Sequence, residues 1–178
     1  MTTHKIDLPI DQEELEKLKA GDIVYLTGKL FTARDKAHAK ALETQIPFKE
    51  IDTLYHCGPL VKDGKLVSAG PTTSSRMNSY TPEIIQKYKI RLIIGKGGID
   101  EKVIKALKGK AAYLAMTGGC GALCAKTLKI VDQKWKELGM AESLWLLKAK
   151  EFGPLVVGVD TQGNSLYNRQ PSNHQSSE

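Results

Sequence analysis

Apolar residues occur in short bursts separated by turn-forming residues, and the period of each burst predicts its conformation. Asp11-Gln12-Glu13-Glu14 sets a capping Asp three residues before a Glu, Leu15 and Leu18 share a helical face, and Gly21 ends the segment. Ile23-Val24-Tyr25-Leu26 predicts a strand that stops at Thr27-Gly28. Thr32-Ala33-Arg34-Asp35 repeats the cap-plus-acid pattern and opens a second helix, with Arg34 and His38 on one face. From Thr53 to Thr73 the pattern is β-rich, with Thr53-Leu54-Tyr55-His56, Leu60-Val61 and Leu66-Val67-Ser68-Ala69 separated by Gly-Pro and Asp-Gly turns.

Farther along, Thr81-Pro82-Glu83 starts a helix carrying Ile84, Ile85 and Tyr88, and Arg91-Leu92-Ile93-Ile94 predicts a strand running into Gly95-Lys96-Gly97-Gly98. Asp100 caps a helix packed through Val103, Ile104 and Leu107. The unbroken apolar run Ala111 to Met116 suits a buried strand feeding a tight turn at Thr117 to Gly121 and another helix. Ser143 to Ala149 and Leu155 to Val159 read as two more strands, with a hairpin turn at Asp160 to Asn164. This alternation predicts an α/β fold with some parallel sheet. Residues 1–167 are expected to form one domain and the polar residues 168–178 a disordered tail. There is no internal repeat.

With 178 residues, 41% of them hydrophobic, the chain can bury one substantial core. No apolar run approaches the roughly 20 residues that cross a bilayer, and the opening residues lack the apolar stretch of a secretion signal, so a cytoplasmic protein is expected. Its three cysteines, an odd number, are then expected as free thiols. The net charge of +6 comes from lysines scattered among acids, and the aromatic 6% does not interleave with them, a pattern that argues against a nucleic-acid interface.

Three segments could carry chemistry. Pro71-Thr72-Thr73-Ser74-Ser75-Arg76-Met77 sits at a predicted strand-to-helix junction, where free backbone N–H groups, a helix dipole, four hydroxyls and Arg76 could grip an anion. Plain helix capping is the alternative there. Gly95-Lys96-Gly97-Gly98 lies at the carboxyl end of a strand, where ligands of α/β sheets collect, and otherwise reads as a simple turn. Its spacing fits neither the phosphate-binding loop nor the dinucleotide fingerprint. Arg34 adds a third cation, and His38 could move a proton near neutral pH; the competing reading is an exposed Arg34-Asp35-His38 surface network. Cys57, Cys120 and Cys124 match in number the ligands of an iron–sulfur cluster with one open iron, but lack the tight Cys-x2-Cys spacing and are more simply buried thiols.

Taken in order, Leu26-Thr27-Gly28, Thr32-Ala33-Arg34-Asp35-x-Ala37-His38, Gly58-Pro59, Ala69-Gly70-Pro71-Thr72-Thr73-Ser74-x-Arg76-Met77 and Ile94-Gly95-Lys96-Gly97-Gly98 resemble the β subunit of class I fumarate hydratase and L(+)-tartrate dehydratase. The likeness continues through Gly118-Gly119-Cys120, Glu142-Ser143-Leu144-Trp145, Glu151-Phe152-Gly153-Pro154 and Asp160-x-x-Gly163-Asn164. It implies a single swivelling β/β/α domain and a partner α subunit that carries a [4Fe–4S] cluster, leaving the three cysteines here as non-ligands. It further implies a hydro-lyase acting on a C4 dicarboxylate, active only in a heteromer. His38 and Thr72 would be catalytic, and Arg34, Thr73, Arg76, Lys96 and Gly97 would bind substrate. The rival reading is a free-standing receptor for a small anion, without catalysis.

Overall fold

The structure is a computed structural model that describes residues 1–167. The tail expected at 168–178 lies outside the described residues. In chain order the elements are β1 (Thr3–Asp7), α1 (Gln12–Lys17), β2 (Ile23–Thr32), α2 (Asp35–Glu43), β3 (Thr53–Tyr55), β4 (Leu60–Lys62) and β5 (Lys65–Ser68). A 3-10 turn (Ser74–Met77) follows, then α3 (Thr81–Tyr88), β6 (Leu92–Gly95), α4 (Glu101–Leu107) and β7 (Ala112–Ala115). The chain continues through α5 (Gly121–Thr127), β8 (Leu128–Lys134), a second 3-10 turn (Lys136–Leu138) and β9 (Leu144–Val159).

The helices begin where polar side chains can satisfy the first free N–H groups. Asp11 accepts from the Glu14 N–H at 2.7 Å, and Asp100 from the Val103 N–H at 3.0 Å. Pro82 opens α3, where a missing N–H costs nothing. No helix among the described residues is long and apolar enough to cross a membrane.

The sheet is mixed. β1 and β3 lie parallel along β2, β6 parallel to β3, and β7 parallel to β6. β9 runs antiparallel to β7, to β2 and to β8. Because β9 bonds both β7 and β2, the strands β2, β3, β6, β7 and β9 close into a ring, which leaves those edges paired. Alternation along the strands then separates two cores. Leu92, Ile94, Leu114, Leu147 and Phe152 join one cluster, on which α5 also packs through Cys124. Phe31, Leu54, Ile93 and Tyr113 join the other, beneath Ala37 and Ala41 of α2, Ile84 and Ile85 of α3, and Val103 and Leu107 of α4. Apolar on both faces, the central strands read as unbroken hydrophobic runs for this reason.

Three local expectations are corrected. The strand expected to end at Thr27-Gly28 continues to Thr32: Gly28 adopts φ +130° at a register shift against β9, with Leu8 packed where a Cβ would stand. The two strands expected in 143–159 are one, bent where Glu151 takes φ +48° and exposed Pro154 needs no ladder partner. The helix expected after Pro71 is a single 3-10 turn, because Tyr80 and Thr81 already begin α3. β1 and β8 have no counterpart in the expected elements.

Candidate active site

Three loops meet at one rim of the sheet, each fixed by backbone hydrogen bonds. The Thr72 N–H donates to the His56 carbonyl at 2.7 Å, so Pro71–Thr73 continues the line of β3. Across from it the Lys96 N–H donates to the Thr72 carbonyl at 3.2 Å, and the Ser74 N–H to the Lys96 carbonyl at 3.0 Å. These bonds join the Thr72 loop to the Gly95–Gly98 turn side by side. The third loop is the head of α2: Arg34 occupies the cap position, and Asp35 beside it pairs with Arg76 at 2.8 Å. That ion pair ties the 3-10 turn to α2.

All seven residues expected at the site therefore stand on these three loops, but they differ in access. Arg76 and Gly97 are exposed, while Thr72, Thr73, Lys96 and Arg34 are half-buried. Arg34 Nε lies 3.4 Å from Glu142 without forming a hydrogen bond, and its side chain covers Gly58, where a Cβ would fall 2.7 Å from Arg34 Cδ. His38 is buried beneath this rim, its Nδ1 2.8 Å from the Arg34 carbonyl. Burial pushes its pKa down to about 4, against weaker upward pulls from that carbonyl and from Asp35. His38 is therefore neutral at neutral pH in this chain, and the exposed surface network with Asp35 does not form.

Two further expectations change with the geometry. Four residues of 3-10 turn supply little of the dipole foreseen at the Pro71–Met77 junction. Of the four hydroxyls, Ser74 turns inward, within 2.9 Å of His56 Nδ1 and 3.0 Å of Tyr113 Oη. Thr72, Thr73 and Ser75 retain outward access.

Sequence reasoning missed His56, Tyr113 and Glu142 as parts of this region. His56 closes the predicted strand Thr53 to His56, and its position beyond a strand's carboxyl end was the available signal. Its rings and those of His38 meet edge-on, with centroids 5.1 Å apart. Burial, then repulsion from His38, holds His56 well below the usual imidazole range. Among the described residues, buried side-chain atoms without a hydrogen-bond partner are Arg34 Nε, His38 Nε2, His56 Nε2 and Asn78 Oδ1. Every one lies in this region or directly after its 3-10 turn. Buried polar groups are normally paired, so this concentration marks a place where the fold tolerates a cost.

Among the described residues the three thiols do not join a group of side chains that could hold a metal ion. Burial raises the Cys57 thiol well above its usual range and pushes Cys124 up to about 12. Cys120 Sγ instead donates to the Thr117 carbonyl at 2.9 Å and lies 3.5 Å from Cys124 Sγ.

A partly exposed rim of three cations and two threonines thus stands over two buried imidazoles on a closed mixed sheet. The chain belongs to the Fumarase C-terminus family, whose pattern matches residues 1–170. It is 43% identical over 171 residues to the "Putative L(+)-tartrate dehydratase subunit beta" of Methanocaldococcus jannaschii, covering 89% of this chain and 88% of that one. It is 41% identical over 167 residues to the L(+)-tartrate dehydratase subunit beta of Escherichia coli K12, covering 89% and 83%. A longer relative, the "Putative fumarate hydratase class I" of Geobacillus stearothermophilus, is 36% identical over 170 residues, which span 91% of this chain but 33% of that protein.

Proposed function

We propose that the chain is the β subunit of a heteromeric hydro-lyase that adds water to, or removes it from, a C4 dicarboxylate. The observation that carries this reading is the meeting of Arg34, Arg76 and Lys96 with Thr72 at one rim, from three loops joined by backbone bonds and the Asp35 pair. Dehydration next to a carboxylate needs both carboxylates held, charge on one of them stabilised as a proton leaves, and a group to take that proton. Arg34, Arg76 and Lys96 answer the first two needs, with Thr73 and the exposed Gly97 backbone completing the contacts. Thr72 and His38 are the proton-handling candidates. A Thr hydroxyl is a weak base without an activator, whereas neutral His38 has a free nitrogen but sits below the rim.

The exposed rim supports a site finished by another chain, and the likeness to proteins named as β subunits supports the same. In this reading the partner is an α subunit that would carry a [4Fe–4S] cluster and supply Lewis-acid chemistry toward the substrate hydroxyl, while Arg34, Arg76 and Lys96 of this chain hold the carboxylates. The swivelling β/β/α arrangement and a cytoplasmic location, where thiols stay reduced, belong to the same proposal. L(+)-tartrate is the first substrate to assay, since relatives at 41% and 43% identity carry that name and the fumarate hydratase relative stands at 36%.

The test is co-expression with a cluster-bearing α subunit, anaerobic reconstitution, and assay of tartrate, malate and fumarate. Turnover is expected from the complex and none from the isolated chain. A well-formed complex that dehydrates or hydrates none of the three would overturn the reading, and tight dicarboxylate binding by the chain alone would return the free-standing receptor.

A further inference from the structure

Beneath the cationic rim, the protons of two imidazoles can be placed from partners that have no choice of role. His38 Nδ1 lies 2.8 Å from the Arg34 carbonyl, which only accepts, so Nδ1 carries the proton and Nε2 is a bare lone pair. The second ring is fixed through a chain of hydroxyls. The Gly97 carbonyl takes the single phenolic proton of Tyr113 at 2.8 Å. The 3.0 Å contact between Tyr113 Oη and Ser74 Oγ is then completed by the serine's proton, in agreement with the downward pull that Ser74 exerts on the Tyr113 pKa. Ser74 Oγ must accept from His56 Nδ1 at 2.9 Å, which leaves His56 Nε2 unprotonated as well.

We propose that His38 and His56 form a two-imidazole acceptor site whose bare Nε2 atoms receive O–H donors, making His56 a residue of the active site as well as of the core. Both Nε2 atoms are buried without a partner among the described residues, and the rings meet at 5.1 Å. The surroundings are arranged for this network. A Cβ on Gly95 would fall 1.9 Å from Ser74 Oγ and 3.3 Å from His56 Nδ1, so the strand gives up a side chain to admit it. The His56 carbonyl also holds the Thr72 N–H, which ties the imidazole to the loop that carries the hydroxyl. Around the pair stand Asp35 and Arg34 from α2, Ser74 and Tyr113, and the Tyr80 ring at 6.2 Å from His38. Arg34 Nε, buried and without a hydrogen bond although 3.4 Å from Glu142, is a donor, the opposite sense to the two nitrogens.

Water and a substrate hydroxyl share the required O–H chemistry. The catalytic consequence rests on the hydro-lyase reading, whereas the proton arrangement does not. In imidazole 15N spectra of the histidine-labelled chain near neutral pH, assigned with His38→Gln and His56→Gln, both rings are expected to be protonated at Nδ1 with downfield, unprotonated Nε2 signals. A proton on Nε2 of either ring would overturn the proposal. In the complex with the α subunit, Nε2 shifts on saturation with malate or tartrate would identify the substrate hydroxyl as donor. Unmoved signals with magnetisation transfer from solvent would identify water, and neither response would overturn the site. In turnover, His56→Phe is expected to lower kcat about tenfold or more with KM little changed. His56→Gln, whose amide oxygen can stand in for the Nε2 lone pair, recovers part of the loss. Full activity in His56→Phe, or equal loss in both variants, defeats the catalytic role. A wild-type complex without turnover would remove the hydro-lyase reading and leave the spectra to decide the acceptor site.

Discussion

At the scale of single residues, the site separates charge at the rim from neutral groups below it. Lys96→Ala, Arg76→Ala and Thr72→Val each remove a partly or wholly exposed side chain. In the assembled enzyme each is expected to lower kcat/KM about 100-fold or more, with folding of the chain intact by circular dichroism. The histidines make a different prediction, concerning stability. His38 has a native pKa near 4 against an ordinary 6.5, and that of His56 is also lowered. Above pH 6.5 both are neutral folded or unfolded. As pH falls from 6.5 toward 4, the unfolded chain takes up protons that the native state refuses, so stability is lost in that window. The slope is about 1.4 kcal/mol per pH unit for each histidine, and urea unfolding across the window measures it. A flat profile there would show that the imidazoles are not neutral and buried. The rim residues were legible in the sequence because hydroxyls, cations and glycines gathered at predicted loop positions. The inward turn of Ser74 and the burial of His56 were not, because both depend on neighbours such as Gly95 and Tyr113 that are remote in sequence.

At the scale of elements, local signals located helices well and strand ends poorly. Asp11, Asp100 and Pro82 act through neighbours a turn away, so α1, α4 and α3 appear where they were expected. Gly28 looks like a stop but is a bulge, since its role is set by Leu8 and by β9. Gly28→Ala combines a φ of +130° with a Cβ 2.7 Å from Leu8 Cβ and is expected to cost about 2–4 kcal/mol in urea unfolding. A loss under ~0.5 kcal/mol would mean that the bulge relaxes freely. β1 was missed because Thr3–Asp7 alternates polar residues with the single buried Ile6, and β8 because charges interrupt Leu128–Lys134.

For the whole molecule, the α/β class and parallel strands could be read from alternating elements, but the closure could not. A pairing such as Ile23 with Val156 or Thr32 with Trp145 leaves no mark on either segment alone. One buried carboxylate ties the turn after β9 to the segment before β2: Asp160 accepts from the Ala20 N–H at 3.3 Å, the Gln162 and Asn164 N–H groups at 3.0 Å, and Asn164 Nδ2 at 2.9 Å. Asp160→Ala is expected to destabilise the chain by about 1–3 kcal/mol, because several part-buried donors lose their acceptor together. Differential scanning calorimetry would register this as a lower Tm with the transition still single, and an unchanged Tm would show that the turn is independent of the core.

The closed ring also sets an order of events during synthesis. A ribosome that has delivered Lys96 has already made Arg34, His38, His56, Thr72 and Arg76, but β9 reaches Val159 only much later. Until then the nascent chain has β2 and β7 without their shared neighbour, and their pairing with β9 spans long stretches of sequence. The cations are thus translated before the strand that closes the sheet on which they stand. A chain ending before Leu144 would lack the neighbour that β2 and β7 share, and is expected to be a substrate for proteases rather than a smaller working site.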